Sequence, residues 1–275
     1  MSGVAFIPYH LRRLTTVASL RDQEAVWISG PGGSGKSAIA RWLHDRGPRA
    51  AHPFVEIKPF EPIPLQIKSA GMGTLYFPEL ETLDETTLDY LNDLLRYRSI
   101  TVRAPAITTN QSTFTSMVHA RVIFSSLTTP QNHPDFDAHF AKKYRIHIPS
   151  LRERIDEDPQ TFTDIAHQLL SELTTEIKQH DIHTISEDAL GYLKTLEWKG
   201  NIRELRETLR SAILKHTELA KNRNKPTNSL DTSDFLLANN TLKNDLKPME
   251  VGLTQSISEP SEYYLKNVTR LPFKF

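Results

Sequence analysis

The chain has 275 residues, with 33 Lys plus Arg balanced by 33 Asp plus Glu and no cysteine. That length supports one large domain or two smaller ones. The even charge gives no global field for nucleic acid or an anionic membrane, and the lack of cysteine excludes disulfides and thiol-ligated metals and fits a reducing cytoplasm.

In chain order, residues 10–20 carry Leu11, Leu14, Val17 and Leu20, an apolar stripe that predicts a helix. Residues 1–9 lack a basic region followed by a long apolar core, and nowhere do about 18 apolar residues run together, so a cytoplasmic protein with no membrane partner is expected. The run Ala25-Val26-Trp27-Ile28 reads as a buried strand. It empties into Gly30-Pro31-Gly32-Gly33-Ser34-Gly35-Lys36-Ser37, and the helix-forming stretch Ala38-Ile39-Ala40-Arg41-Trp42-Leu43 follows. Strand, glycine turn, lysine and helix in that order turn G-x-x-x-x-G-K-[ST] into a phosphate site. Glycines let backbone N–H groups surround an anion, and the helix N-terminus adds partial positive charge. Lys36 reaches the terminal phosphates and Ser37 offers its hydroxyl to Mg²⁺, so ATP or ADP with Mg²⁺ is the expected cofactor.

Phe54-Val55-Glu56-Ile57 predicts a second strand, and the prolines of residues 58–64 argue against regular structure there. Gly73-Thr74-Leu75-Tyr76-Phe77 is a third strand, followed by Pro78-Glu79-Leu80. Leu83, Leu88, Leu91, Leu94 and Leu95 form the apolar side of a helix ending near Arg98. Residues 101–116 are polar and Thr-rich, a loop or a ragged strand. Arg121-Val122-Ile123-Phe124-Ser125 and Arg145-Ile146-His147-Ile148 are two more strands, separated by a helix around residues 137–143. Strands that are apolar throughout and alternate with helices argue a parallel sheet covered on both faces. From Thr161 onward strands disappear, and three amphipathic helices follow, on Phe162 to Ile177, Ala189 to Leu196 and Ile202 to Leu214. The expected fold is a three-layer α/β P-loop core followed by a small α-helical lid. The divisions are a leader (1–20), the α/β domain (21–155), the lid (156–238) and a flexible tail (239–275).

Several stretches, in order, resemble the AAA+ domain of bacterial sigma-54-dependent transcriptional activators, the enhancer-binding proteins. They are residues 30–37, Pro53-Phe54-Val55, Gly73-Thr74-Leu75-Tyr76-Phe77-Pro78-Glu79, Arg121-Val122-Ile123, Leu151-Arg152-Glu153-Arg154 and Trp198-Lys199-Gly200-Asn201-Ile202-Arg203-Glu204-Leu205. The last matches the family's lid motif, whose arginine senses the nucleotide's phosphates. The resemblance implies that Arg203 reaches the phosphates beside Lys36 and that Glu79 polarises the attacking water as the catalytic residue. Read from spacing alone, Arg203 is a solvated helix arginine that pairs with Glu207 at i,i+4.

Departures from the family pattern follow the matches. Pro78 stands where the family has an acidic residue that orients Mg²⁺, and proline has no side-chain oxygen. Ser37 stands where the family commonly has glutamate, Lys58 replaces an asparagine that holds the catalytic glutamate, and Ser126-Leu127 replace a sensor Thr-Asn pair. The two arginines that reach a neighbour's site are matched by Asp137 and Lys143, which lack the planar fork suited to phosphate. Between the second and third strands the family inserts a helix and a sigma-contact loop, and residues 59–70 are too short for it. The resemblance therefore implies a degenerate AAA+ regulator. It would bind nucleotide, hydrolyse it weakly or not at all, and act as a homo-oligomer, with another AAA+ protein, or through another protein partner. DNA binding without a partner is not expected. A working P-loop ATPase or phosphotransferase of unrelated role is the alternative, and a nucleotide-independent scaffold a third reading. His180 and His183 complete no metal set and read as surface histidines. The basic stretch of residues 221–225 reads as solvated loop. The tail's Tyr263-Tyr264-Leu265 and residues 270–275 are either a disordered end or a docking segment.

Overall fold

The computed structural model describes residues 7–8, 11–58, 61–103, 113–128, 144–178, 181–223 and 228–236. These all fall within a unit of residues 1–240; a second unit, 241–275, lies outside the described residues. In the first half the order is α1 (Arg12–Leu20), β1 (Val26–Ser29), α2 (Lys36–Asp45), β2 (Phe54–Glu56), α3 (Ile63–Ala70), β3 (Thr74–Phe77), a 3-10 turn (Leu80–Thr82) and α4 (Glu85–Tyr97). Then come β4 (Ser99–Arg103), β5 (Thr113–Met117), β6 (Arg121–Ser126) and β7 (Arg145–His147).

Five strands form one parallel sheet in the order β2-β3-β6-β1-β7, with Ile28 of β1 opposite Ser125 of β6 and Ile146 of β7. Every residue of β1, β3 and β6 is buried. Successive strand residues face opposite sides of a sheet, so unbroken burial means both faces are covered and the α/β core has three layers. Uninterrupted apolar runs take the central positions because each large side chain buried there contributes about 1.5–3 kcal/mol. The five strands of this sheet run parallel, so the chain leaves β1, β3 and β6 at one edge of it, where open α/β folds bind ligands.

The second half holds α5 (Leu151–Glu157), α6 (Pro159–Ile177), β8 (Thr184–Ile185), α7 (Glu187–Lys194), α8 (Asn201–Arg223) and β9 (Ser229–Leu230). Ser150 and Glu153 form a reciprocal capping box at the start of α5, and Asp158 caps α6 just before Pro159. One apolar cluster runs from Ile7 to Ile148 and another from Leu151 to Phe235. The change falls at Pro149-Ser150, a few residues before the expected division at 155/156, because Leu151 and Ile155 pack among the lid helices.

Four local expectations are corrected. Helix α1 forms, but Val17 and Leu20 are 44% and 63% exposed, and the helix buries Thr15, Ala18 and Ser19 instead. Thr15 Oγ1 donates to the Leu11 carbonyl at 3.1 Å, which lets a hydroxyl sit on the buried side. Residues 58–64 were expected to be irregular, yet α3 starts at Ile63 with Pro62 as its N-cap and Pro64 in its first turn. Proline is tolerated there because first-turn N–H groups have no intrahelical acceptor. Residues 101–116, read as loop or ragged strand, contribute to an antiparallel pair of β4 and β5, Ser99 opposite Met117 and Thr101 opposite Thr115. Strands do not vanish after Thr161: β8 and β9 make a short parallel pair. The helix expected around residues 137–143, with Asp137 and Lys143, lies outside the described residues, as do His180 and the tail. The same holds for the side chains of residues 221–225.

Candidate functional site

The chain leaves β1 through Gly30 and turns into α2 at Lys36. Gly30 has φ +149°, and a Cβ there would lie 2.3 Å from the Ile148 carbonyl oxygen, so only glycine passes between β1 and the end of β7. Gly33 has φ +72°, and a Cβ there would lie 2.2 Å from the Gly200 carbonyl oxygen in the lid. The loop is therefore shaped from both sides. Lys36, the first helical residue, is 4% exposed; its Nζ donates to the carbonyls of Gly30 at 2.8 Å and Pro31 at 3.0 Å. Glu79 Oε1 lies 3.7 Å from that Nζ. Burial lowers the Lys36 pKa below the ordinary lysine value, with Glu79 opposing the shift.

Behind Lys36 a chain of hydroxyls crosses the strand ends. Ser37 Oγ is 3.2 Å from Tyr76 Oη, which is 3.0 Å from Ser125 Oγ, and Ser125 Oγ accepts the Glu79 backbone N–H at 3.0 Å. Burial raises the Tyr76 pKa, against the two hydroxyl contacts, so the phenol is protonated at neutral pH. Glu79 itself sits in the left-handed region at φ 44°. Trp198 (φ 50°) and Asn201 (φ 56°) in the lid turn are held in the same region, whereas Arg98 and Lys178 with positive φ are helix C-caps. Strained non-glycine backbone is thus found on both sides of the cleft.

Ser126, at the position matched to a sensor residue, is fully buried. Its Oγ accepts from Trp27 Nε1 at 2.8 Å and donates to the Thr128 carbonyl at 2.6 Å, so it anchors the turn to the core. The polar group facing that turn is Glu81, which the sequence did not single out. Its carboxylate accepts from the N–H of Leu127 at 2.9 Å and of Thr128 at 3.2 Å, and from Thr128 Oγ1 at 3.1 Å. An acidic residue two places after Glu79, facing the end of a strand, was the available signal.

The lid meets the loop through backbone groups. Asn201 Nδ2 donates to the Gly32 carbonyl at 2.9 Å while its Oδ1 accepts the Leu151 N–H at 2.8 Å. Arg203 N–H donates to the Gly33 carbonyl at 3.2 Å, and the buried Arg154 donates from Nη2 to the Ser34 carbonyl at 2.9 Å. Burial pushes the Arg154 pKa down to about 10. Between loop and lid lies a cleft of about 350 Å³. Gly33, Gly35, Lys36, Ser37, Ala38 and Glu79 line one side, and Ile202, Arg203 and Arg206 with Leu169 and Glu172 the other. Of the predicted residues, Gly30, Pro31, Gly32 and Ser34 shape the loop without lining this cleft. Among the described residues Arg203 forms no ion pair, and the Glu207 pairing read from spacing is not made: Glu207 lies 3.8 Å from Arg210. Arg206 is held by Glu172 at 3.3 Å and Glu176 at 2.8 Å.

Two family models match the chain: "Sigma-54 interaction domain" over residues 10–130 and "AAA+ ATPase lid domain" over residues 152–224. The chain is 29% identical over 212 residues to the transcriptional regulator NtrC of Klebsiella pneumoniae, covering 69% of this chain and 44% of that protein. It is also 29% identical over 238 residues to a protein named limonene hydroxylase from Geobacillus stearothermophilus, covering 74% and 41%. The chain thus spans less than half the length of these relatives. Among solved structures, NtrX of Brucella abortus in complex with ADP matches with a TM-score of 0.60 at 18% identity, covering 82% of this chain and 52% of that one. Its complex with ATP matches with the same score, covering 89% and 60%. The chain is homologous to sigma-54 activators of the NtrC and NtrX type, with the α/β core and AAA+ lid the sequence led one to expect. Among the described residues no helix is long and apolar enough to cross a membrane.

Proposed function

We propose that this chain binds ATP or ADP in the cleft between loop and lid and serves as a regulatory AAA+ module that hydrolyses nucleotide weakly or not at all. The observation that carries the reading is the convergence on one cleft of Lys36, the α2 N-terminus and Arg203, which forms no ion pair among the described residues. That set suits a polyphosphate. NtrX of Brucella abortus, whose fold the chain shares, has been solved with each nucleotide.

The support for feeble hydrolysis is the damaged water-activating and metal set. Glu79 lines the cleft, but its carboxylate lies 3.7 Å from Lys36 Nζ, the cation that would compete with a water for it. Pro78 supplies no side-chain oxygen to a metal. Magnesium needs only one or two protein ligands when phosphates and waters complete its shell. Ser37 fits that minimal role; the cation would neutralise charge on the phosphates. Sigma-54 remodelling by the family's projecting loop has no room here, since β2 ends at Glu56 and β3 starts at Thr74 with the eight-residue α3 between. A transcription-related scaffold or regulatory role follows, exercised in a ring of like chains, with another AAA+ protein or on another protein partner in the cytoplasm. Phosphate release measured beside ATP affinity tests the reading: tight binding with little turnover is expected. Brisk release that Glu79→Gln abolishes would replace it with a working ATPase or phosphotransferase.

A further inference from the structure

Resting on that reading of the cleft, we propose that Tyr76 is the positioning residue of the magnesium site, its phenol taking over the proton-accepting task of the acidic side chain that Pro78 removes. A serine hydroxyl that gives a lone pair to a cation must hand its own proton to an acceptor. A carboxylate two residues further along the strand is the usual acceptor, and this chain has none there. An acceptor within hydrogen-bond reach is Tyr76 Oη, 3.2 Å from Ser37 Oγ.

The hydrogen-bond chain can run from the cleft toward its far end at Glu79. The Glu79 backbone N–H can only donate, so Ser125 Oγ accepts it at 3.0 Å. The remaining lone pair of Ser125 is free to accept the Tyr76 hydroxyl at 3.0 Å, in a pair where either oxygen can donate. With the chain run that way, the phenolic lone pair accepts the Ser37 hydroxyl proton and leaves the Ser37 lone pairs for the cleft that Ser37 lines, the direction a bound cation would select. Depth keeps the arrangement rigid: Tyr76 is fully buried and its ring stacks on Phe54 at 5.9 Å. A neutral phenol is a weaker acceptor than a carboxylate and adds no negative charge near the metal. Magnesium therefore strengthens nucleotide binding moderately, and that gain runs through Tyr76. The same chain ties the metal-facing hydroxyl to the backbone of Glu79.

ATP affinity, measured by calorimetry with Mg²⁺ and with EDTA, tests this on the full chain. In the wild type Mg²⁺ tightens ATP by about fivefold to tenfold, the range a single hydrogen bond supplies. Tyr76→Phe keeps the buried ring and brings that ratio to about one, with metal-free affinity unchanged. Ser37→Ala does the same, and the double variant loses nothing further, because both remove one interaction. Ser125→Ala, which deprives the phenol of its acceptor, lowers the ratio too and serves as a second reading should Phe not fold at position 76. A wild-type Mg²⁺ ratio retained by Tyr76→Phe overturns the proposal, and so does an equal loss with and without Mg²⁺, which marks a merely structural role. No ATP binding to the wild type in either condition overturns it together with the nucleotide reading.

Discussion

Replacing Asn201 is the sharpest probe of how the lid is seated. Its amide bridges the Gly32 carbonyl and the Leu151 N–H at 2.9 and 2.8 Å, and it is buried with φ 56°. Asn201→Ala loses two hydrogen bonds at about 0.5–1.5 kcal/mol each and leaves both backbone partners without that contact. It also places an alanine in the left-handed region, which costs roughly 1–2 kcal/mol. The sum is about 2–5 kcal/mol of unfolding free energy. Asn201→Gly loses the same bonds without the steric strain, so it should be milder than alanine by about 1 kcal/mol. Urea unfolding of the three proteins at matched m-values measures the difference, and ATP affinity should fall in the same order because the amide holds the loop to the lid. An alanine variant within about 0.5 kcal/mol of the wild type, or a glycine variant less stable than alanine, would refute the reasoning.

Three further outcomes follow from the geometry. Gly33→Ala drives a Cβ to 2.2 Å from the Gly200 carbonyl oxygen at φ +72°, so it should cost more than about 2 kcal/mol of stability, read as a lowered thermal midpoint. Glu81→Ala removes the acceptor for Leu127 and Thr128 on an exposed surface; the expected loss is at most about 1 kcal/mol, with faster amide exchange at those two residues. Burial favours the neutral form of Lys36 and so lowers its pKa. Nucleotide affinity, which needs the cation, should be full at neutral pH and decline as pH rises through that lowered value, below the ordinary lysine range near about 10.4. Calorimetry between pH 7 and alkaline buffer checks the decline, and a flat profile up to that range would contradict it.

The α/β core and lid were legible because their signals are local. Val26, Trp27 and Ile28, or Val122, Ile123 and Phe124, are continuous apolar runs, and such runs sit in central parallel strands whatever surrounds them. The glycine loop announces itself by residues few other structures require. What stayed hidden depends on contacts distant in sequence. Tyr76 reads as one more apolar strand residue, and only the fold sets its hydroxyl between Ser37 and Ser125. Glu81 sits in an unremarkable turn until β6 brings Leu127 beside it. Thr15 and Ser19 displace Val17 and Leu20 from the buried side of α1 because their hydroxyls bond to helix carbonyls, which a hydrophobic stripe cannot reveal. Ser126 matches a sensor by its place at the end of β6, whereas its contacts are fixed by the indole of Trp27.

The central claim is that this chain grips a triphosphate through the loop that ends β1. Titrating ATP into the wild type and into Lys36→Ala by calorimetry tests it most directly. The account predicts saturable binding to the wild type and at least about a tenfold weaker affinity once the ammonium that faces the loop is gone. No heat of binding to the wild type at millimolar ATP, or equal affinity in the two proteins, would contradict it.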